Sequence, residues 1–168
     1  MMMYIVTIIS FFLDLFLSSI IPIINSSKVF LIPMFTIVSL VLMYPYFNNN
    51  QSQFFKYCII IGFIYDIAVT NTLCVNAIIF LFLGFLTYLL DGGLSNNLMS
   101  IIFKSLIIIF VYDIIMYFIL VLIGYINFDI FALVFKLLKS IVLNVIYVII
   151  CFNITENIAK KFRIKKLI

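Results

Sequence analysis

Long apolar runs separated by short polar breaks make up almost the whole chain. Such runs occupy residues 4–24, 29–47, 99–123 and 138–158, and a further run, 54–90, has polar residues concentrated at its centre. As one helix, residues 54–90 would be about 55 Å long, far more than a bilayer requires, so two spans joined near residues 70–73 fit better. The pattern predicts about six transmembrane helices, with five as the alternative.

The composition agrees with this pattern. Of the residues, 67% are hydrophobic and only 10% are charged, and the mean hydropathy is +1.39. The short alternating segments of a transmembrane barrel are missing from the sequence. We therefore expect an all-α, polytopic transmembrane bundle in which residues 1–159 form a single unit and residues 160–168 a short basic tail.

Positive charge is concentrated at the C-terminal end of the chain. Half of the ten basic residues lie there, at Lys160, Lys161, Arg163, Lys165 and Lys166. Basic residues beside a span mark the cytoplasmic side and bind anionic lipid, so we expect a membrane-surface tail. With six spans, both termini would be cytoplasmic.

Residues 127–139 have an amphipathic pattern. Polar or small residues and phenylalanines occupy opposite faces of a helix: Asp129, Ala132, Lys136 and Lys139 against Phe128, Phe131 and Phe135. This pattern predicts a short interfacial helix leading into the last span.

Four spans each carry one stripe of small or polar residues, which marks helix contacts in lipid. The stripes are Thr7, Ser10, Asp14 and Ser18; Cys58, Gly62, Asp66 and Thr70; Asn76, Phe80 and Gly84; and Ser140, Asn144, Tyr147 and Cys151. Because each stripe lies on one helical face, we expect all four to point inward or toward a partner protein.

Three carboxylates, Asp14, Asp66 and Asp113, interrupt the apolar runs. A charge in hydrocarbon costs roughly 2.5–3.5 kcal/mol on insertion scales, so we expect these acids to face protein, where they serve helix packing or partner binding. Tyr117, one turn from Asp113, is a candidate hydrogen-bond donor to it. Lys104 lies half a turn around the same helix and cannot pair with Asp113 there.

Catalytic and metal-binding patterns are missing from the sequence. It contains no histidine, and its three cysteines lack CxxC spacing. It also lacks a GxSxG elbow, a P-loop and an HExxH motif. We expect no enzyme activity, no cofactor or metal, and no nucleic-acid partner.

The central pair of spans carries a motif: Gly62, Asp66, Leu73, Asn76, Ala77 and Gly84, with Cys74 where a glycine is usual. The motif resembles the MreD family of rod-shape-determining membrane proteins. The resemblance implies a non-enzymatic plasma-membrane scaffold that regulates bacterial cell shape and lateral peptidoglycan synthesis. It implies as partners an MreC-like bitopic protein, an MreB-like actin filament, and the glycan polymerase and transpeptidase of wall synthesis, with a homo-oligomer left open.

The family's fold is similar to the substrate-binding subunits of energy-coupling-factor transporters, which supplies an alternative function. The protein would then be a vitamin-like small-molecule-binding subunit of a transporter. A third hypothesis is a proton-coupled carrier that uses Asp14, Asp66 and Asp113, but no broken-helix pair or internal repeat in the sequence supports it.

Specific roles follow for the central motif. We expect Asp66 and Asn76 to hydrogen-bond and so lock the hairpin of the third and fourth spans, while Gly62 and Gly84 let the two backbones approach. Asp14 and Asp113 are further candidates for helix packing or partner binding.

Overall fold

The computed structural model describes residues 2–24, 33–47, 50–70 and 74–161, and nearly all of these residues are helical. The six α-helices are α1 (Met2–Ile24), α2 (Phe35–Met43), α3 (Gln51–Tyr65), α4 (Val75–Gly93), α5 (Leu98–Leu122) and α6 (Ile130–Lys161). A 3-10 turn, Tyr44–Tyr46, continues α2, and a π-helical turn, Asp66–Thr70, continues α3. Since the described ranges contain no strand, the predicted all-α bundle is confirmed.

Four helices in the described ranges are long and apolar enough to cross a bilayer. They are Gln51–Val69, Val75–Gly93, Leu98–Leu122 and Ile130–Lys161. Tyr4–Ser19 and Phe35–Tyr46 form shorter apolar helices. These lengths and compositions identify a multi-pass membrane protein, and the count of six spans stays a prediction.

The short helix α2 lies at the centre of the bundle. All nine of its residues are buried, and it packs against α1, α4, α5 and α6. A helix that is apolar on every side is stable only where other elements surround it. Four of the longer helices, α1, α4, α5 and α6, therefore pack around α2.

Consecutive helices pair as hairpins, α1 with α2, α3 with α4 and α5 with α6. Tyr4 and Ala159 belong to one small cluster around Met43, the last residue of α2. The first and last described helices therefore begin and end at the same end of the bundle. The N-termini of α2, α4 and α6 lie away from that end.

The region 127–139 differs from the prediction of a separate interfacial helix. Residues Ile130–Lys161 form one uninterrupted helix, because no glycine or proline interrupts this stretch and its hydrogen bonding continues into the last span. At 1.5 Å per residue the helix is about 48 Å long, longer than a bilayer core of about 30 Å. Phe128, Phe131 and Phe135 are exposed, in agreement with the amphipathic pattern.

Candidate functional site

The three carboxylates of the apolar runs all lie inside the bundle. Asp14, Asp66 and Asp113 are 3%, 1% and 1% exposed. Tyr112, the residue before Asp113 on α5, connects two of them, because its hydroxyl donates a hydrogen bond to Asn76, whose side-chain amide donates to Asp66. We call the three buried acids Asp14, Asp66 and Asp113 the carboxylate layer.

Asp14 of α1 caps the start of α2. Its Oδ1 accepts a hydrogen bond from the backbone N–H of Phe35 at 2.8 Å, and its Oδ2 accepts one from the N–H of Thr36 at 2.7 Å. The hydroxyl of Thr36 also donates to Oδ2. Residue Met34, at the cap position of α2, contributes no side-chain hydrogen bond. The first N–H groups of a helix have no acceptor within that helix, and no water is present in hydrocarbon to accept their hydrogen bonds. Asp14 of α1 therefore supplies the acceptor for the start of α2.

A second helix completes this cap. The amide oxygen of Asn144 in α6 accepts a hydrogen bond from the backbone N–H of Met34 at 2.9 Å. Nearby, the hydroxyls of Ser10 and Tyr147 are 2.6 Å apart, and the Tyr147 ring stacks on Phe35 with a centroid distance of 3.9 Å. The start of α2 therefore joins α1 to α6.

The predicted inward stripes are largely buried. Ser18 is the exception in α1, where it is exposed and donates a hydrogen bond to the carbonyl of Leu15. The side chain of Thr70 lies outside the described residues, as does Leu73. The remaining stripe residues are all buried.

Asp66 makes the same kind of cap for α4. Its Oδ1 accepts hydrogen bonds at 3.0 Å from the backbone N–H and the side-chain amide of Asn76, and its Oδ2 accepts one from the N–H of Ala77 at 3.1 Å. The local cap residue Cys74 provides no side-chain hydrogen bond. The hydroxyl of Tyr112 donates to Asn76 Oδ1 at 3.1 Å. The hydrogen bond predicted between Asp66 and Asn76 is thus present and anchors α3, α4 and α5 together.

Two glycines lie where α3 and α4 pack against each other. A Cβ atom at Gly62 would lie 2.6 Å from the carbonyl oxygen of Asn76 and 2.7 Å from the Cα of Ala77. At Gly84 it would lie 2.8 Å from the Sγ of Cys58. Gly62 therefore allows the backbone of α3 to approach the capped turn of α4.

Asp113 has a different environment from the other two acids. Its partner is Lys136 of α6, whose Nζ lies 3.0 Å from Asp113 Oδ1. The prediction that Tyr117 donates a hydrogen bond to Asp113 is wrong. The Tyr117 hydroxyl donates to the carbonyl of Asp129 at 2.8 Å and accepts from the Asp129 N–H at 2.6 Å. Spacing along α5 could not reveal Lys136 or Asp129 as partners, because Lys136 belongs to α6 and Asp129 to the connection that precedes it.

Lys104 does not pair with Asp113, in agreement with the sequence analysis. Its Nζ lies 2.7 Å from Asp91 Oδ1 and 3.0 Å from Asn96 Oδ1. The lysine is 2% exposed, so it fixes the connection between α4 and α5 from within the bundle.

The basic tail is only partly described. Lys160 and Lys161 are exposed at the end of α6. The Nζ of Lys160 lies 3.7 Å from Oε2 of Glu156. Arg163, Lys165 and Lys166 lie outside the described residues.

Two of the three acids in the carboxylate layer anchor helix starts. Asp14 and Asp66 accept hydrogen bonds from backbone amides, which holds two helix starts in place. Among the residues that the structure describes, no group of three or more histidine, cysteine or acidic side chains lies close enough to hold a metal ion.

One family model, described as rod shape-determining protein MreD, matches residues 1–158 of the chain. No curated protein and no solved structure gives a match. The expected similarity to energy-coupling-factor transporter subunits therefore stays a prediction. The matched residues include the whole carboxylate layer and both capped helix starts.

Proposed function

We propose that this chain, which belongs to the MreD family of rod shape-determining membrane proteins, is a non-enzymatic scaffold of the bacterial cell-elongation machinery. It regulates cell shape and lateral peptidoglycan synthesis by binding an MreC-like bitopic protein. It works beside an MreB-like filament, a glycan polymerase and a transpeptidase. The observation that carries this proposal is the family match over residues 1–158.

The polar interior supports a scaffold role because it fixes the helices relative to one another. Asp14 ties α1 to α2, and Asp66 ties α3 to α4. A helix face can bind a partner reproducibly only if the helix behind it does not shift, and buried, fully paired polar groups restrain such shifts. The capped hairpins thus present their outer faces in a fixed arrangement.

Two outer faces are candidates for contact with a partner helix. On α1, Ile9, Phe12 and Phe16 are exposed. On the α3–α4 hairpin, an apolar groove of about 450 Å³ is lined by residues that include Phe63 and Ile78. Within a membrane, lipid or a single apolar helix packs against such faces.

The proposed arrangement in the membrane follows the charge distribution. Residues 1–159 form one bundle, and both termini face the cytoplasm of a bacterial plasma membrane. The exposed side chains of Lys160 and Lys161, with the basic residues that follow them, contact anionic lipid at that surface.

The hydrogen bonding of the acids favours the scaffold over the small-molecule and carrier alternatives. A ligand or proton site needs polar groups that can change partners. The carboxylates of Asp14 and Asp66 already accept hydrogen bonds from the backbone amides of the following helix, so engaging a ligand would uncap α2 or α4.

The test is complementation in a rod-shaped host from which the native protein is depleted. We expect the chain to restore cell width and to co-purify an MreC-like protein. Ile67, which neighbours Asp66 and is 64% exposed, provides a matched control. Ile67→Ala should behave as wild type, whereas Asp66→Ala should lower protein level and widen the cells.

Two results would overturn the scaffold proposal. One is that the chain accumulates in the depleted cells but does not restore their width. The other is that the purified protein binds a vitamin-like molecule saturably while no MreC-like protein accompanies it.

A further inference from the structure

Two consecutive residues of α5 hold the two helices beside it. Tyr112 and Asp113 point about 100° apart around the helix axis. The hydroxyl of Tyr112 donates a hydrogen bond to Asn76 Oδ1 near the start of α4 at 3.1 Å. Asp113 pairs with Lys136 of α6, whose Nζ lies 3.0 Å from Asp113 Oδ1. A rotation or shift of this part of α5 therefore disturbs both contacts together.

The side chain of Asn76 connects Tyr112 to the cap of α4. Its amide nitrogen donates to Asp66 Oδ1 at 3.0 Å, while its amide oxygen accepts from Tyr112. The same carboxylate also accepts the backbone N–H groups of Asn76 and Ala77. In such a network each hydrogen bond polarises and positions the next. Loss of the Tyr112 contact therefore weakens the hold of Asp66 on the first turn of α4.

The first turn of α4 also forms one wall of the groove on the α3–α4 hairpin. Ala77 and Ile78 line this groove, as does Cys74, the cap residue of α4. The other lining residues that the structure describes belong to α3 and to the following turn of α4. The shape of the groove thus depends on the cap, although its described lining includes no residue of α5 or α6.

The Asp113–Lys136 pair makes this network sensitive to a change in α6. Asp113 is 1% exposed, and its counter-ion lies on a different helix. A buried carboxylate that loses its counter-ion is strongly destabilised, so the structure around it shifts to give it another polar partner. Because the aspartate side chain is short, such a shift moves α5, and that movement carries Tyr112 away from Asn76.

We propose that the Asp113–Lys136 ion pair controls the first turn of α4, and with it the α3–α4 groove, through Tyr112 and Asn76. Separating the pair by a change in α6 loosens the cap and reshapes the groove. The link itself does not depend on the scaffold role. Only its use, which is to let one bound partner alter the face offered to another, rests on the proposed function.

The test is hydrogen–deuterium exchange of the full-length protein in detergent micelles, read by mass spectrometry. Peptides that cover residues 74–80 report on the first turn of α4. Peptides that cover residues 82–88 report on the middle of the same helix and so on general destabilisation. The variants are Lys136→Met, which keeps the apolar stem and removes the charge, Tyr112→Phe, and the two combined.

Lys160→Met is the matched control. It makes the same change on the same helix, and it also breaks an ion pair, the one between Lys160 and Glu156. Lys160 is 76% exposed, so its loss leaves no carboxylate unpaired inside the bundle. Adding Asp113→Asn to Lys136→Met provides the rescue, because no buried charge then remains without a counter-ion.

We expect Lys136→Met to accelerate exchange in residues 74–80 about fivefold or more, the lower end of the coupling usual between linked sites, and exchange in residues 82–88 much less. Lys160→Met should leave both unchanged. Tyr112→Phe should accelerate exchange in residues 74–80, and Lys136→Met should then add little, because the link is already broken. The rescue variant should restore slow exchange.

Three results would overturn the proposal. Equal acceleration in residues 74–80 and 82–88 would indicate general destabilisation. Effects of Tyr112→Phe and Lys136→Met that simply multiply would show that the Tyr112 hydroxyl is not the link. Unchanged exchange in Lys136→Met would mean that Asp113 is relieved where it stands, by taking up a proton.

Should Lys136→Met fail to fold, Lys136→Gln replaces it, with the same direction expected and the same results counting against the link. Complementation by these variants tests the scaffold role separately. Failure of either proposal therefore leaves the other standing.

Discussion

Asp14 accepts hydrogen bonds from both the backbone N–H and the side-chain hydroxyl of Thr36. A residue in the middle of α1 therefore holds the first turn of α2. Asp66 binds Asn76 in the same way, through the backbone N–H and the side-chain amide of one residue. In each of the first two hairpins, an aspartate of one helix thus accepts hydrogen bonds from the backbone N–H groups at the start of the next helix, although the sequences of the two hairpins show no repeat.

Replacing Asp14 with alanine should destabilise the protein by about 3 kcal/mol. The change leaves two buried backbone N–H groups without acceptors, and each such group costs about 1–3 kcal/mol. Asp14→Asn should cost less, because its amide oxygen still accepts one of the hydrogen bonds. The measurement is the midpoint of thermal unfolding in detergent, together with the amount of protein in the membrane.

Ser18 provides the control for this change. It lies one turn further along α1 but is exposed, so Ser18→Ala should leave the unfolding midpoint within error of the wild type. If Asp14→Ala were as stable as Ser18→Ala, the cap would contribute nothing to the stability of α2.

A methyl group at Gly62 should be far more harmful than one at Gly92. A Cβ at Gly62 would lie 2.6 Å from a backbone oxygen, whereas one at Gly92 meets no atom within 4 Å. Overpacking of this kind costs typically 1–3 kcal/mol, because backbone cannot move aside as a side chain can. Gly62→Ala should lower the unfolding midpoint, and Gly92→Ala should leave it unchanged or raise it slightly.

Equal stability of these two variants would show that α3 and α4 can separate without cost. The spacing of the hairpin would then not depend on Gly62.

The helical class and the inward faces could be predicted from sequence because both are local properties. Hydropathy identifies apolar helices, and the stripe at Ser140, Asn144 and Tyr147 follows from spacing along one helix. The pairing of Asp66 with Asn76 was also predictable, since only nine residues separate them along the chain. These features require no knowledge of how distant helices are arranged.

The partners of Asp14 and Asp113 could not be predicted in the same way. Asp14 meets Thr36 across a long connection, and Asp113 meets Lys136 on another helix. Which faces meet depends on how the other helices pack around α2. The periodicity of one helix carries no information about that packing.

Tyr117 should stabilise the corner between α5 and α6. Its hydroxyl bonds both the N–H and the carbonyl of Asp129. Tyr117→Phe removes both hydrogen bonds, and we expect a loss of about 1 kcal/mol because Asp129 is exposed and water replaces part of the interaction. Limited proteolysis within residues 123–128 should become faster.

Tyr125 is the matched control for that experiment. It lies in the same corner and is 79% exposed, so Tyr125→Phe should leave both stability and proteolysis unchanged. Faster cleavage in both variants would mean that loss of any phenol group loosens the corner, and Tyr117 would have no specific role.

Lys104 should be required for the connection between α4 and α5. Its ammonium lies between Asp91 and Asn96 while the side chain is 2% exposed. Lys104→Met keeps the apolar stem but leaves Asp91, which is 14% exposed, without its counter-ion. Removing one partner of a buried pair costs about 3–5 kcal/mol, and the partial exposure of Asp91 reduces this to about 2 kcal/mol.

A double-mutant cycle separates this ion pair from the packing of the lysine stem. The variants are Lys104→Met, Asp91→Leu and the two combined, each followed by thermal unfolding and by proteolysis of residues 91–97. The double variant should be more stable than Lys104→Met, because it removes the unpaired charge together with its partner. Strictly additive losses would show that the two side chains act independently, so that the 2.7 Å contact contributes nothing to the stability of the connection.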